Sequence, residues 1–465
     1  TSPSTKDFSV PSNIKPKQML LSAIIGTLCV GFGSANTVTN YQMYPLTMGA
    51  EQYIQNASLD KSQFPQGMNT AYGSGLAFDG YEKDGSIRLV SVTDRGPNLD
   101  GLNVKDNNKT YPSKIFPAPD FKPQIATIVL KDNKAVVVSS KPILNPNGTA
   151  VTGLPIPSGQ VGSSNEKALT TDITVIGYDE NGLDPEGIAP DADGNFWLSD
   201  EYGPFIIKVD KSGKIIEKFS PANGLPEIAS QRTPNCGAEG VTVLPNGHVV
   251  FFIQSILNLN NETKKTATIC RVFDWNPKTQ QYTTYAYPIE ATYKKNNDAK
   301  LGDIVALDNH RMLLIEQGKQ ADGSMMNKVF EIDLRIGQDI TNLLINGKPP
   351  EYATAAEVTP YALKKTEVLD LRAYGWNTEK AEGLTVTPDH KTLVIANDND
   401  FGIATKVTDP ERQKADVADY TLDTSTGKIF YKEKDAAPKE ANSTISIKPG
   451  GETSQVWTFT FKDKL

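Results

Sequence analysis

Histidine is nearly missing from this chain of 465 residues, which has only His248, His310 and His390. Each falls in or beside a turn between apolar runs, at the end opposite the acidic residues described below. A Ser-His-Asp or Cys-His nucleophile system and a histidine-rich zinc or iron site are therefore not expected. Cysteine is as rare, with Cys29, Cys236 and Cys270, and there is no CxxC or Cys/His zinc spacing. At most one disulfide is possible. Cys236 and Cys270, which flank one hairpin, form the natural pair, and three unpaired thiols are the alternative.

Long apolar runs are also lacking. Met19 to Ala35, preceded by Lys15 and Lys17, has the flanks of a signal peptide but is too short and too glycine-broken to span a membrane. It is read here as an ordered strand, with any signal lying upstream of Thr1. Positive charge is in deficit, 47 Lys and Arg against 55 Asp and Glu, for a net charge of -8. That balance argues against nucleic acid as a partner and suits a secreted, cation-binding protein. Five Asn-X-Ser/Thr sequons, at Asn56, Asn108, Asn147, Asn261 and Asn442, carry little weight in an Asn-rich chain. Sustained helical periodicity is absent.

What is present is a repeat. Five times a small loop delivers a polar residue into a short apolar strand, a tight turn follows, and a second apolar strand ends in another polar residue. The first strands begin Ser74-Gly75-Leu76-Ala77, Glu186-Gly187-Ile188-Ala189, Glu239-Gly240-Val241-Thr242, Asp303-Ile304-Val305-Ala306 and Glu382-Gly383-Leu384-Thr385. The second strands are expected to end at Asp94, Asp200, Gln254, Glu316 and Asn397. In four units the two polar residues are 13 to 15 positions apart, with Asp193-Gly194, Asn246-Gly247, Asp308-Asn309 or Asp389-His390 between them. These residue types accept the positive φ of tight turns, so each unit is a β-hairpin. The start of the first strand lies beside the end of the second, so both polar residues emerge at one edge.

Runs such as Val249 to Ile253 and Met312 to Ile315 do not alternate, so their strands are covered on both faces. Further strands follow each hairpin. Repeating four-stranded units that cover one another describe an all-β fold, a β-propeller of four-stranded blades, with five blades counted and a sixth left open. In the fifth unit only Gln455 to Phe461 follows the hairpin, and an N-terminal strand near Leu20 to Val30 is expected to complete it. Residues 1–18 read as an extended arm and 19–465 as one propeller domain, with insertions at about 145–165 and 403–454. The arm or the second insertion offers a surface for self-association.

The chemistry available at the shared edge is that of carboxylates. Asp94, Glu186, Asp200, Glu201, Glu239, Asp303, Glu316, Glu382, Asp398 and Asp400 are the candidates. Several like charges converging on an axis need a counter-cation. Oxygen donors without imidazole or thiolate point to Ca²⁺, ahead of Mg²⁺ or Mn²⁺. Glu186, Glu239, Asp303 and Glu382, with Asp94, are the expected ligands.

Asp94-Arg95-Gly96-Pro97, Asp184-Pro185-Glu186-Gly187-Ile188-Ala189, Phe196-Trp197-Leu198-Ser199-Asp200-Glu201-Tyr202-Gly203-Pro204, Gly237-Ala238-Glu239-Gly240 and Asn397-Asp398-Asn399-Asp400-Phe401-Gly402 together resemble the phytase-like, "esterase-like activity of phytase" family of secreted β-propeller proteins. The resemblance runs from about residue 74 to 402 and resumes at the final strand. It implies hydrolysis of a small phosphorylated or ester substrate, and the mechanism that suits these carboxylates is metal-assisted. On that reading Arg95 pairs with the phosphate, unless it serves a structural salt bridge, and Asp200 or Glu201 takes the proton of the attacking water. A sugar-lactonase-like propeller hydrolase, and a non-catalytic extracellular propeller whose metal only staples the ring, are the competing expectations.

Overall fold

The computed structural model describes residues 35–465, so the arm at 1–18, the strand expected at Leu20 to Val30 and Cys29 lie outside the described residues. Ring-forming strands are labelled in chain order. β1 (Val38–Thr47) comes first. Next come β2 (Gly75–Tyr81), β3 (Ile87–Val92), β4 (Gln124–Lys131) and β5 (Lys134–Pro142), which pair in that order. Three further sheets repeat the pattern: β6 (Pro185–Pro190) to β9 (Ile215–Phe219), β10 (Ala238–Val243) to β13 (Tyr282–Pro288), and β14 (Lys300–Ala306) to β17 (Lys365–Asp370). β18 (Ala381–Val386) and β19 (Thr392–Asn397) then pair with β20 (Gln455–Phe461), and β20 pairs antiparallel with β1. The closing strand is thus Val38–Thr47. A short parallel bridge, Leu46 opposite Ala135, joins this sheet edge to edge with β2–β5, making eight strands in all.

The first strands β2, β6, β10, β14 and β18 neighbour one another in sequence, and β18 returns to β2. This closed ring of antiparallel sheets is β-propeller-like. Glycine allows the inner strands to approach so closely. A Cβ on Gly75 would stand 2.7 Å from the Glu186 carbonyl oxygen, and one on Gly187 would stand 2.6 Å from Ser199 Oγ and 3.1 Å from the Glu239 carbonyl oxygen. At the outer turns Gly194 (φ 81°), Gly247 (φ 88°) and His390 (φ 57°) take left-handed conformations, as their turn positions require. Between the sheets lie buried aromatic and aliphatic clusters. Trp197, Phe219 and Trp275, for example, pack edge-on and stacked at centroid distances of 4.8 to 6.3 Å.

The stretch after β3 and the insertion after β19 build a cap over one mouth of the ring. Asn103–Asp106 and Lys109–Tyr111 form a five-stranded sheet with Tyr420–Asp423, Lys428–Tyr431 and Lys439–Glu440. Ile403–Thr408 pairs with Thr444–Pro449 as a ribbon. Leu102, Val104, Ile115, Phe401, Tyr420 and Leu422 give the cap its own apolar core. Residues 145–165 carry no named strand. Cys236 and Cys270 are free thiols, so the disulfide considered for them is not formed: Cys270 is buried on the strand Ile269–Trp275, whereas Cys236 faces the pocket described next.

Candidate functional site

At the capped mouth the ring encloses a pocket of about 1050 Å³. Two rings of side chains reach it, and strand register explains which. At the entrance to four of the five first strands a bulge shifts the pairing: between Pro185 and Gly187, Ala238 and Val241, Leu301 and Ile304, and Ala381 and Gly383. Aligned on the strand partners that follow, Ser74, Glu186, Glu239, Gly302 and Glu382 are equivalent. Glu186, Glu239 and Glu382 line the pocket. On the second strands the equivalent positions are Asp94, Glu201, Gln254, Gln317 and Asp398, and all five line it.

This register corrects the expected positions in four places, each by one residue, because a one-residue slip turns a side chain to the other face. Asp303 occupies the place of Gly187 and not that of Glu186, and its carboxylate accepts the N–H groups of Ile304 (2.8 Å) and Leu384 (3.0 Å). Asp200 is fully buried and accepts from the N–H groups of Asp184 (2.7 Å) and Tyr202 (2.9 Å), setting the loop shape around Glu201. Glu316 is bonded to Tyr287, Tyr293, Lys365 and the Glu290 N–H. Asn397 bonds Thr453 and Gln455. None of these four side chains lines the pocket.

Asp94, Glu186, Glu201, Glu239 and Glu382 are brought together there, with Asp184 added from the loop ahead of β6. Carboxylate oxygens of Asp94, Asp184 and Glu186 lie within 4.8 Å of one another, as do those of Glu186, Glu201 and Glu239. All five residues are buried. Burial drives the carboxyls of Asp94, Glu186 and Glu239 well above the ordinary range, and their acidic neighbours reinforce it. Burial and then Asp184 push Glu201 up to about 8, and burial and then Asp400 push Asp398 up to about 7. Such groups ionise together only beside a cation. The donor set, carboxylate oxygens with the amides of Gln254 and Gln317 at hand, fits a hard divalent ion.

Arg95 lines the pocket wall but is committed elsewhere. Its Nη1 donates to Glu166 Oε1 at 2.6 Å and to the Tyr202 hydroxyl at 3.2 Å, and its Nη2 donates to Asn98 at 3.1 Å. Glu166, from a loop far away in sequence, gives no signal in a linear reading. Asp184 did have one, as the residue two before Glu186 in the Asp-Pro-Glu-Gly motif. The remaining cations on the wall are Lys114, paired with Asp100, Lys319, Arg372, Lys380, paired with Asp400 at 2.8 Å, and Lys300, whose Nζ bonds the Asn297 carbonyl at 2.8 Å and approaches Ser255 Oγ at 3.4 Å. Among the described residues Lys300 has no carboxylate within ion-pair distance. His390 belongs to the opposite mouth of the ring, among apolar residues.

Residues 73–401 match the Phytase-like family, described as esterase-like activity of phytase. An uncharacterized secreted protein of Arthroderma benhamiae is 27% identical over 240 residues, which is 42% of this chain and 46% of that protein. The chain thus spans about half the length of the relative it matches. Among solved structures, PhoX of Pseudomonas fluorescens in complex with vanadate has a TM-score of 0.34 at 8% identity, covering 92% of this chain and 96% of that one. A protein from Lactobacillus plantarum has a TM-score of 0.32 at 13% identity, covering 87% and 98%.

Proposed function

The chain belongs to the Phytase-like family, and from that membership together with the pocket we propose that it is a metal-dependent hydrolase of phosphoesters, secreted and using Ca²⁺. The observation that carries the reading is the pair of touching carboxylate triads inside one solvent-open pocket. The named relative supports a secreted setting. We count the two halves of the eight-stranded sheet as separate blades, which makes a five-bladed propeller with the pocket on its axis.

Asp94, Asp184, Glu186, Glu201 and Glu239 would hold the metal, which when bound offsets phosphate charge and favours ionisation of water. The protein's own groups do the rest. Lys300, free of carboxylate partners, binds an anionic oxygen of the substrate. Asp398 faces the pocket outside both triads, and its raised pKa suits it to accept a proton near neutral pH. Tyr202 and Glu166 fix Arg95, which in turn holds the Asp184 loop through its backbone N–H at 3.1 Å from Asp184 Oδ1. The cap narrows the mouth, with Leu99, Asp100, Lys114, Ile403 and Thr405 on its side of the pocket.

The test is release of inorganic phosphate from p-nitrophenyl phosphate by the purified chain, with calcium and with a chelator, beside p-nitrophenyl acetate as the carboxylic ester. Chelator-sensitive phosphate release is expected. Negligible release in both conditions would sink the phosphoester reading, and turnover of the acetate alone would move the protein to ester hydrolysis.

A further inference from the structure

We propose that the centre is binuclear, with two divalent cations side by side sharing the carboxylate of Glu186. The inference rests on the metal-dependent reading above and adds the number of ions and the residue that links them.

A calcium ion holds its oxygen ligands at about 2.3–2.6 Å, so oxygens that share one ion are at most about 5 Å apart. Asp94, Asp184 and Glu186 meet that limit as one set, and Glu186, Glu201 and Glu239 meet it as another. Glu186 alone belongs to both. Asp94 and Asp184 come from the loops after β3 and before β6, whereas Glu201 directly follows the strand Phe196–Asp200 and Glu239 lies at the start of β10. The five residues form two such sets and not one, and the residue common to both has a carboxylate with two oxygens. Two-metal hydrolytic centres place their ions about 3.5–4 Å apart, a separation that a bridging carboxylate spans.

Two further observations point the same way. Glu382 is 6% exposed, lines the pocket beside Glu239, and its Oε2 has no hydrogen-bond partner. A buried carboxylate oxygen facing a cavity without a donor calls for a ligand there, on the Glu239 side of the bridge. The second observation concerns charge. The Arg95 guanidinium beside the triads is paired with the buried Glu166 at 2.6 Å and stands 3.9 Å from Asp184, and Arg372 on the pocket wall donates to Asn327 and to the Thr378 carbonyl. Six carboxylates, the two triads plus Glu382, face the pocket, more negative charge than a single divalent ion offsets.

The experiment is calcium stoichiometry on the full chain, stripped with chelator, desalted, titrated with Ca²⁺ by calorimetry and checked by elemental analysis. The wild type is expected to bind two ions per chain. Asp94→Asn and Glu239→Gln are each expected to retain one, and Glu186→Gln is expected to weaken both steps at least tenfold. A wild-type stoichiometry of one, which no folding defect of a variant can produce, overturns the proposal. So does a Glu186→Gln protein that loses only one step. Two ions bound without phosphate release would sink the hydrolase reading and leave the binuclear centre standing. One ion bound with brisk phosphate release would do the reverse.

Discussion

The carboxylate of Asp303 accepts the backbone N–H of Leu384 at 3.0 Å, tying the first strand of one sheet to the first strand of the next. With the Ile304 N–H on its other oxygen, this acid is a fastener of the ring. Removing it leaves buried N–H groups without acceptors, at a cost of about 1–3 kcal/mol each. Asp303→Ala is expected to lower the urea midpoint clearly while the calcium affinity of the folded protein is unchanged. Loss of calcium binding at full stability would return Asp303 to the metal centre.

Arg95 and Glu166 form an ion pair in which both side chains are almost wholly buried, 6% and 3% exposed. Breaking such a pair from one side leaves an uncompensated charge, at about 3–5 kcal/mol. Arg95→Ala and Glu166→Ala should each destabilise on that scale, and the double variant should cost less than their sum. Additive losses in a double-mutant cycle would mean that the pair does not act as a unit.

Among the described residues no carboxylate engages the Lys300 ammonium in the pocket. Losing one charge-assisted hydrogen bond to substrate is worth about 1.5–3 kcal/mol, or about 10-fold or more in binding. Lys300→Gln is expected to raise KM for a phosphomonoester by that factor with kcat much less affected. An unchanged KM would remove Lys300 from substrate recognition.

Stability should depend on pH in an unusual direction when metal is withheld. Burial raises the carboxyls of Asp94, Glu186 and Glu239, and it brings Asp200 and Asp398 to about 7 and Glu201 to about 8. Between the ordinary carboxyl value near 4 and those raised values, the folded chain holds protons that the unfolded chain has released. Stability therefore falls as pH rises across that window. The chelated protein is expected to have a higher Tm at pH 5 than at pH 8, and calcium should raise Tm more at pH 8. A chelated protein that gains stability over this window would contradict the charge crowding described here.

The hairpins were legible because turn residues and unbroken apolar strands are local signals, and Glu186, Glu239, Glu382, Asp94 and Glu201 could be drawn from them. The bulge that opens four of the five first strands was not. In the fourth unit it places Gly302 where the others have Glu or Ser, so Asp303, although adjacent to the right place in sequence, points to the wrong side. Likewise Asp200 and Glu316 precede the pocket residues Glu201 and Gln317 by one. The cap escaped notice because some of its strands are only two to four residues long, such as Leu99–Asp100 and Tyr420–Asp423, too short for a periodicity to develop. Glu166 was invisible for a different reason: nothing in sequence links a loop acid to an arginine on another sheet.

The sheet that holds both β1 and β20 sets the order of events in time. Val38 lies opposite Phe461, so β1 cannot find its antiparallel partner until nearly everything between has been made. Until then β1, which keeps Tyr41 and Met43 well exposed even in the finished fold, is an unpaired edge, and so is the outer strand β5 that it later touches. Contacts so distant in sequence form slowly. The seam is therefore expected to gain hydrogen-exchange protection last during refolding, and it is the place where a half-made chain is most exposed to pairing with a neighbour.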